Sequence, residues 1–443
     1  MTEISAQKSS KSFIHNIIWS FGTRFWVIAC QIFLSLLVSR LMGAESWAIL
    51  AALTVLIGTV VQFGAFGLTT ANTFFVAQDN KNLNSVAHIT LIFGLLAGCF
   101  LLILLVVLVQ VKPDLFGNLP NKLVIIASIS IPCQLLLLLN QYILLGMNRV
   151  SQFNLLDAIS QTILVLNALI AIFFINKNLD SIVILNLIGT VLLCFFGLFL
   201  VRRILSEVNL ADNFQSKLKL FKQMIQYGVK SYITILIPFI IIRADLLLVN
   251  HYRQATETGV YAVASQFSLL LMMLPWVINP LLFPKVAQSQ NESADLTCQV
   301  TRQTTFLTLI ISLLAIPLSF ALPMIYGETF KDVTILVLLL LPGVYLLGIE
   351  SVVVQYFNGT GLPSQIPAFW VIVLIANLTL NLLFIPKYGA FAAAISSSIC
   401  YGLIFVLVTA FFRHKTQSSM KTIFVVSAKE LRELSNKIKK TVF

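Results

Sequence analysis

Charge is what this chain has least of. Asp, Glu, Lys and Arg make up 10% of its 443 residues, against about 25% in soluble globular domains. With 58% hydrophobic residues and a mean hydropathy of +0.94, residence outside a membrane is excluded. The six cysteines show no C-x-x-C spacing and most sit inside apolar stretches. They read as small core residues rather than a disulfide framework or a metal site. No G-x-x-x-x-G-K-[ST] is present, so the chain carries no phosphate loop for ATP hydrolysis, and no cofactor is implied. Long external connections are missing too. The longest, from Lys112 to Lys122, holds Pro113, Gly117 and Pro120, which leaves no room for an external catalytic domain.

What fills the chain is a series of apolar stretches, each with the roughly 20 residues needed to cross a bilayer at 1.5 Å per residue. They fall at 13–41, 47–75, 87–111, 122–146, 152–175, 180–201, 226–250, 258–283, 303–325, 333–357, 366–386 and 389–412. The first is too long for a signal peptide and is followed by no small-residue cleavage site, so it is expected to be a retained helix. A net charge of +12 invites a nucleic-acid reading, but its distribution argues against one. Only Arg40, Lys112, Lys122, Lys177, Arg253, Lys331 and Lys387 fall on the side opposite the termini. That bias predicts a multi-pass protein with both termini in the cytoplasm.

The hydrophobic pattern is laid down twice. Val76-Ala77-Gln78 recurs as Val286-Ala287-Gln288, Phe116-Gly117 as Tyr326-Gly327, Pro132 as Pro342, Gln141-Tyr142 as Gln355-Tyr356, Ser151-Gln152 as Ser364-Gln365 and Asn167 as Asn381. The offset stays near 210–214 residues. Six spans per copy put both copies into the membrane from the same side, a plan typical of secondary transporters. The expected organisation is a first six-helix lobe at 1–203, a cytoplasmic amphipathic linker at 204–225, a second lobe at 226–413 and a basic cytoplasmic tail at 414–443. In the linker Phe214, Leu218, Phe221 and Ile225 recur at helical spacing beside Lys217, Lys219 and Lys222, a pattern suited to an anionic lipid surface. The tail repeats the pattern and is expected to bind membrane lipid.

A charge at mid-membrane costs on the order of 2.5–3.5 kcal/mol even on lenient scales, so such residues mark function or pairing. Arg24, Asp157, Arg243, Asp245 and Glu350 all lie inside predicted spans. Arg243 and Asp245, two apart, should point about 200° away from one another on a helix. A guanidinium suits phosphate or carboxylate, so Arg24 and Arg243, each in the first helix of its repeat, are candidates for an anionic substrate. Asp157, Asp245 and Glu350 are candidates for coupling or for charge pairing with the arginines. Amides are strewn through the spans, among them Gln31, Gln62, Asn72, Asn140, Gln141, Gln161, Asn167, Gln266, Asn279, Asn377 and Asn381. Bridging between helices is their default role and sugar binding the alternative.

Several local patterns resemble one known family. These are Ile242-Arg243-Ala244-Asp245-Leu246-Leu247-Leu248-Val249, Thr258-Gly259-Val260-Tyr261-Ala262-Val263-Ala264, Asn377 and Asn381 before Ile385-Pro386-Lys387-Tyr388-Gly389, and Leu41-Met42-Gly43-Ala44-Glu45-Ser46-Trp47. They resemble the O-antigen flippases of the polysaccharide-biosynthesis transporters, within the multidrug/oligosaccharidyl-lipid/polysaccharide (MOP) exporter superfamily. Ser46 and Trp47 stand where that family usually shows a glycine and a tyrosine or phenylalanine. The resemblance implies an all-α polytopic fold of about twelve helices in two pseudo-symmetric six-helix lobes forming a V. It also implies passage of an undecaprenyl-pyrophosphate-linked oligosaccharide across the bacterial inner membrane, with polysaccharide polymerase and chain-length machinery as partners. The family's cationic cavity residues carry over here to Arg24 and Arg243. A multidrug antiporter of the same superfamily is the alternative within transport. A membrane glycosyltransferase, polymerase or ligase is the alternative outside it, disfavoured because the first external turn offers only Glu45.

Overall fold

In the computed structural model, residues 2–78, 82–206, 214–288, 292–361 and 363–426 are described; most of the basic tail and residues 207–213 of the linker lie outside them. Among the described residues the chain is helical throughout. The helices of the first repeat are α1 (Thr2–Met42), α2 (Ala44–Ala65), α3 (Leu68–Gln78), α4 (Leu83–Val111), α5 (Asn121–Ser128), α6 (Ile131–Gly146), α7 (Val150–Ile170) and α8 (Leu179–Ser206). Those of the second are α9 (Phe214–Tyr252), α10 (Ala255–Ser268), α11 (Met273–Gln288), α12 (Ser293–Ser319), α13 (Leu322–Tyr326), α14 (Val333–Thr360), α15 (Gln365–Thr416) and α16 (Met420–Phe424).

Ten helical stretches are long and apolar enough to cross a membrane, and an eleventh span arises if α5 and α6, bent by 44° where they join, cross together. Pro132 sits at the start of α6, where its missing N–H leaves no helical bond unmade. The 52 residues of α15 contain a break at Gly389, whose φ of 62° and ψ of −139° are non-helical and open to glycine without steric cost. Each side of the break is long enough to span, so α15 accounts for two of the twelve expected crossings. Large apolar side chains such as Leu96, Phe100, Phe174 and Phe195 point outward, as a lipid solvent requires.

The duplicated turns keep their form. Phe116 and Tyr326 are both buried, and the glycines after them, Gly117 and Gly327, both take positive φ. Small residues let backbones approach in each copy: a Cβ on Gly98 would lie 2.5 Å from the Cα of Pro132, and one on Gly343 would meet the Cα of Ser398.

By packing, the chain divides into one unit of Met1–Val263, Ile325–Lys331 and Asn381–Ala393, and another of Ala264–Met324, Asp332–Leu380 and Ala394–Phe443. The first unit therefore includes all of α9. The amphipathic stretch near residue 214 is the opening part of that helix, continuous with the seventh span, and its Leu220 and Met224 are buried in the core of the first repeat. Further along, the Tyr232 hydroxyl donates to the carbonyls of Gln62 and Phe63, each at 2.9 Å. At its far end Asn250 donates to the Phe116 carbonyl at 3.0 Å, and the Asn118 amide group donates back to the Asn250 carbonyl at 2.7 Å.

Candidate functional site

α1 and α7 lie side by side through three polar contacts between residues far apart in the chain. The Asn154 amide donates to the Ser20 hydroxyl at 2.7 Å, Arg24 reaches Asp157 at 3.2 Å, and the Trp26 indole donates to the Thr162 hydroxyl at 2.9 Å. On α7, Asn154 and Asp157, three apart, lie about 60° from one another around the helix. The Arg24–Asp157 pair is not sealed: the side chains keep 44% and 28% of their surface. Pairing lowers the cost of holding a guanidinium inside a span, and partial exposure leaves its remaining N–H groups open to a ligand.

Asp157 also lines a cavity of about 350 Å³ enclosed by α2, α5, α6, α7 and α8. It lies beneath the α5–α6 bend, with Ala127 and Ser130 in its wall. Amides dominate its polar lining: Gln62, Gln134, Gln141, Gln161 and Asn186. Gln134 donates to Ser130 at 3.0 Å, and the Asn186 carbonyl oxygen accepts from Asn167 at 3.0 Å. The side-chain amides of Gln62, Gln141 and Gln161 make no hydrogen bond within the described residues. Apolar side chains such as Leu53, Ile57 and Leu164 complete the walls.

The other sequence candidates divide. Arg243 is exposed on α9 while Asp245 is buried at 2%, the opposite facing that helical geometry demands of residues two apart. Asp245 accepts from the Tyr261 hydroxyl at 2.5 Å and from the backbone N–H of Leu246 at 2.7 Å. Glu350, on α14, belongs to the second packing unit and is 1% exposed. One of its carboxyl oxygens has no hydrogen-bond partner, and among the described residues no cation pairs with it. The structure thus joins Arg24 to Asp157 and Asp245 to Tyr261.

Two features escaped sequence reasoning. Tyr261 was visible as part of a family pattern, but nothing local announced it as the partner of Asp245. Helix bridging, the default for the amides, holds for Asn72, which donates to the Leu139 carbonyl at 3.1 Å, and for Asn167, which reaches the Leu185 carbonyl at 3.0 Å. It does not hold for the three free glutamines of the cavity.

At the end of the bundle opposite the chain's start, several turns are tied together. The Glu257 carboxylate accepts from Arg253 at 2.8 Å and from the backbone N–H of Ala390, just past the α15 break, at 2.7 Å. Ser35 and Tyr326 share a hydrogen bond of 2.7 Å, and Arg40 donates to the Ile325 carbonyl. Burial pushes the Tyr326 hydroxyl up from its ordinary pKa, with the Ser35 bond opposing the shift, so it stays neutral. Among the described residues no cluster of His, Cys, Asp and Glu is arranged to hold a metal.

Comparison with known proteins gives this arrangement its family. Residues 37–336, more than half of the chain, match the family described as "Polysaccharide biosynthesis protein". The chain is 28% identical over 163 residues to the probable flippase AglR of Haloferax volcanii, a match that spans 34% of this chain and 34% of that one. Among solved structures it is similar to the lipid II flippase MurJ in an inward closed conformation, with a TM-score of 0.73 at 20% identity, covering 97% of this chain and 93% of that one. It is also similar to a multidrug resistance MATE family transporter of the MOP superfamily in an inward-facing conformation, with a TM-score of 0.70 at 12% identity over 88% and 94% of the two chains. With the fold that MurJ and the MATE transporters share, and with the family model matched across both repeats, the chain belongs to the polysaccharide biosynthesis protein family.

Proposed function

We propose that this protein is a flippase, carrying an undecaprenyl-pyrophosphate-linked oligosaccharide across the bacterial inner membrane by alternating access. No bond is made or broken. The observation that carries the reading is Arg24, a guanidinium inside a span, held at 3.2 Å on a carboxylate and still partly open. A pyrophosphate presents pairs of oxygens that a planar guanidinium can meet with two parallel N–H bonds. On this reading it displaces Asp157 from Arg24, and Arg243 supplies a second cation on the seventh span. The repeats at 1–203 and 226–413 are the working halves, joined by the linker at 204–225 and followed by the basic tail at 414–443. The hydrogen-bonded turns around Glu257 and Tyr326 close the site toward the outer face, and opening there requires those bonds to break. Both termini lie in the cytoplasm, the product feeds surface polysaccharide or O-antigen assembly, and the polymerase and chain-length machinery are the partners downstream.

Reconstituted vesicles carrying a fluorescent undecaprenyl-pyrophosphate glycan test this directly. Arg24→Ala and Arg243→Ala are expected to slow transbilayer movement at least tenfold while the protein still inserts and purifies. Full activity in both variants overturns the assignment.

A second reading has one observation in its favour. Glu350 is a carboxyl group closed off from solvent, the kind of group a cation- or proton-coupled antiporter of the MATE type would load and unload. Drug resistance on expression, with surface polysaccharide unchanged, would favour it.

A further inference from the structure

The cavity within the first repeat adjoins the Arg24–Asp157 pair, and its own chemistry is specific. We infer that it is a monosaccharide subsite, built to hold the sugar joined directly to the pyrophosphate. The inference rests on the flippase reading and deepens it.

Three features of the cavity decide the class of ligand. Its volume, about 350 Å³, lies at the low end of the roughly 300–1,000 Å³ of small-molecule pockets, enough for one ring and its water. Its polar groups are amides and hydroxyls rather than charges. Asp157 is the only ionisable residue in the lining, so even with phosphate in its place on Arg24 the cavity offers a single carboxylate. A metal cation would need several oxygens converging on one point, and among the described residues no cluster of His, Cys, Asp and Glu is arranged to hold one. An unpaired amide instead offers an N–H₂ donor and a carbonyl acceptor together, which suits a neutral ligand bearing many hydroxyls. Gln62, Gln141 and Gln161 hold that capacity in reserve, since their amides bind nothing else in the chain.

Position decides which sugar. Asp157 belongs both to the ion pair and to the cavity wall. A phosphate seated on Arg24 therefore stands at the cavity's edge, and the ring attached to that phosphate is the part of the glycan within reach of the glutamines. The subsite reads the first sugar and ignores those further out. Specificity of this kind is strong because amides left unpaired by a wrong ligand remain desolvated.

The test uses the full chain in lipid nanodiscs and measures the affinity of bare undecaprenyl pyrophosphate beside the same lipid carrying N-acetylglucosamine, glucose or galactose. At least one sugar-bearing probe is expected to bind about tenfold tighter than the bare lipid. Gln141→Met with Gln161→Met should abolish that gain and leave bare-lipid affinity unchanged. Ser160→Leu, which fills part of the cavity, should do the same, and thermal unfolding verifies that both variants fold. The inference is overturned if no sugar-bearing probe gains over the bare lipid, or if the glutamine variant weakens both alike. It is also overturned if the variant's only effect is on a sodium dependence of binding. Failure of the underlying flippase reading looks different: bare undecaprenyl pyrophosphate would not bind, or would bind Arg24→Ala as tightly as the parent protein.

Discussion

The two repeats spend their polar residues in opposite ways. The first gathers free amides around an open cavity, and its charged pair is partly exposed. In the second, Glu350 is sealed, as are the hydroxyls of Thr301 and Thr308, and none of these finds a partner for every polar atom. The glutamines at equivalent sequence positions make the contrast concrete. Gln141 is free in the cavity wall, whereas Gln355 donates to the Ser351 carbonyl at 3.0 Å and accepts from Asn358 at 3.1 Å. The helices and the Phe116-Gly117 and Tyr326-Gly327 turns keep their form in both copies. The interiors diverged: one keeps an amide-lined cavity, the other a sealed carboxyl group.

The largest way to break this contrast is Glu350→Lys. An ammonium placed where a carboxyl group is sealed off, with no anion beside it among the described residues, is expected to cost about 3–5 kcal/mol. Loss of the monodisperse protein in detergent size-exclusion chromatography would report it, while Glu350→Gln should purify normally. Packing, by contrast, should respond alike in both halves. Gly98→Leu and Gly343→Leu each force a side chain into the backbone of a neighbouring helix, for about 1–3 kcal/mol apiece, and similar drops in melting temperature would bear this out.

A subtler change sharpens the first repeat alone. Asp157→Asn releases Arg24 from its carboxylate, so bare undecaprenyl pyrophosphate should bind up to tenfold tighter, with little change in melting temperature for a pair this exposed. Unchanged or weaker binding would mean that Asp157 does not compete with the ligand. The smallest effect compares the paired glutamines. Gln355→Ala should lose about 1 kcal/mol of stability with its hydrogen bonds, and Gln141→Ala close to none.

Most of the fold could be read from the residues, because bilayer thickness sets the length of each apolar run. Gly389 between two such runs marked the α15 break, and Pro132 lay where α6 begins. Arg24, Asp157 and Glu350 each stood out as a charge among apolar neighbours. Their pairing did not, since 133 positions separate Arg24 from Asp157 and only tertiary packing brings α1 to α7. The same limit hid the cavity. An amide that bridges helices and one that faces a cavity carry the same signal in sequence, so the roles of Asn167 and Gln161 could not be told apart. The continuation of the linker into α9 was more legible, for its apolar period runs on without a glycine or proline until Gly228.

That helix has a mechanical consequence. Tyr232 fastens α9 at its middle and Asn250 fastens it near its end, both onto the first repeat. A rod pinned at two points can flex only between them. Pro238 sits in that interval, where its ring forfeits one backbone bond and weakens the helix locally. Any bending of α9 therefore concentrates one to two turns from Arg243 and Asp245, and the proline sets the point about which those two side chains swing.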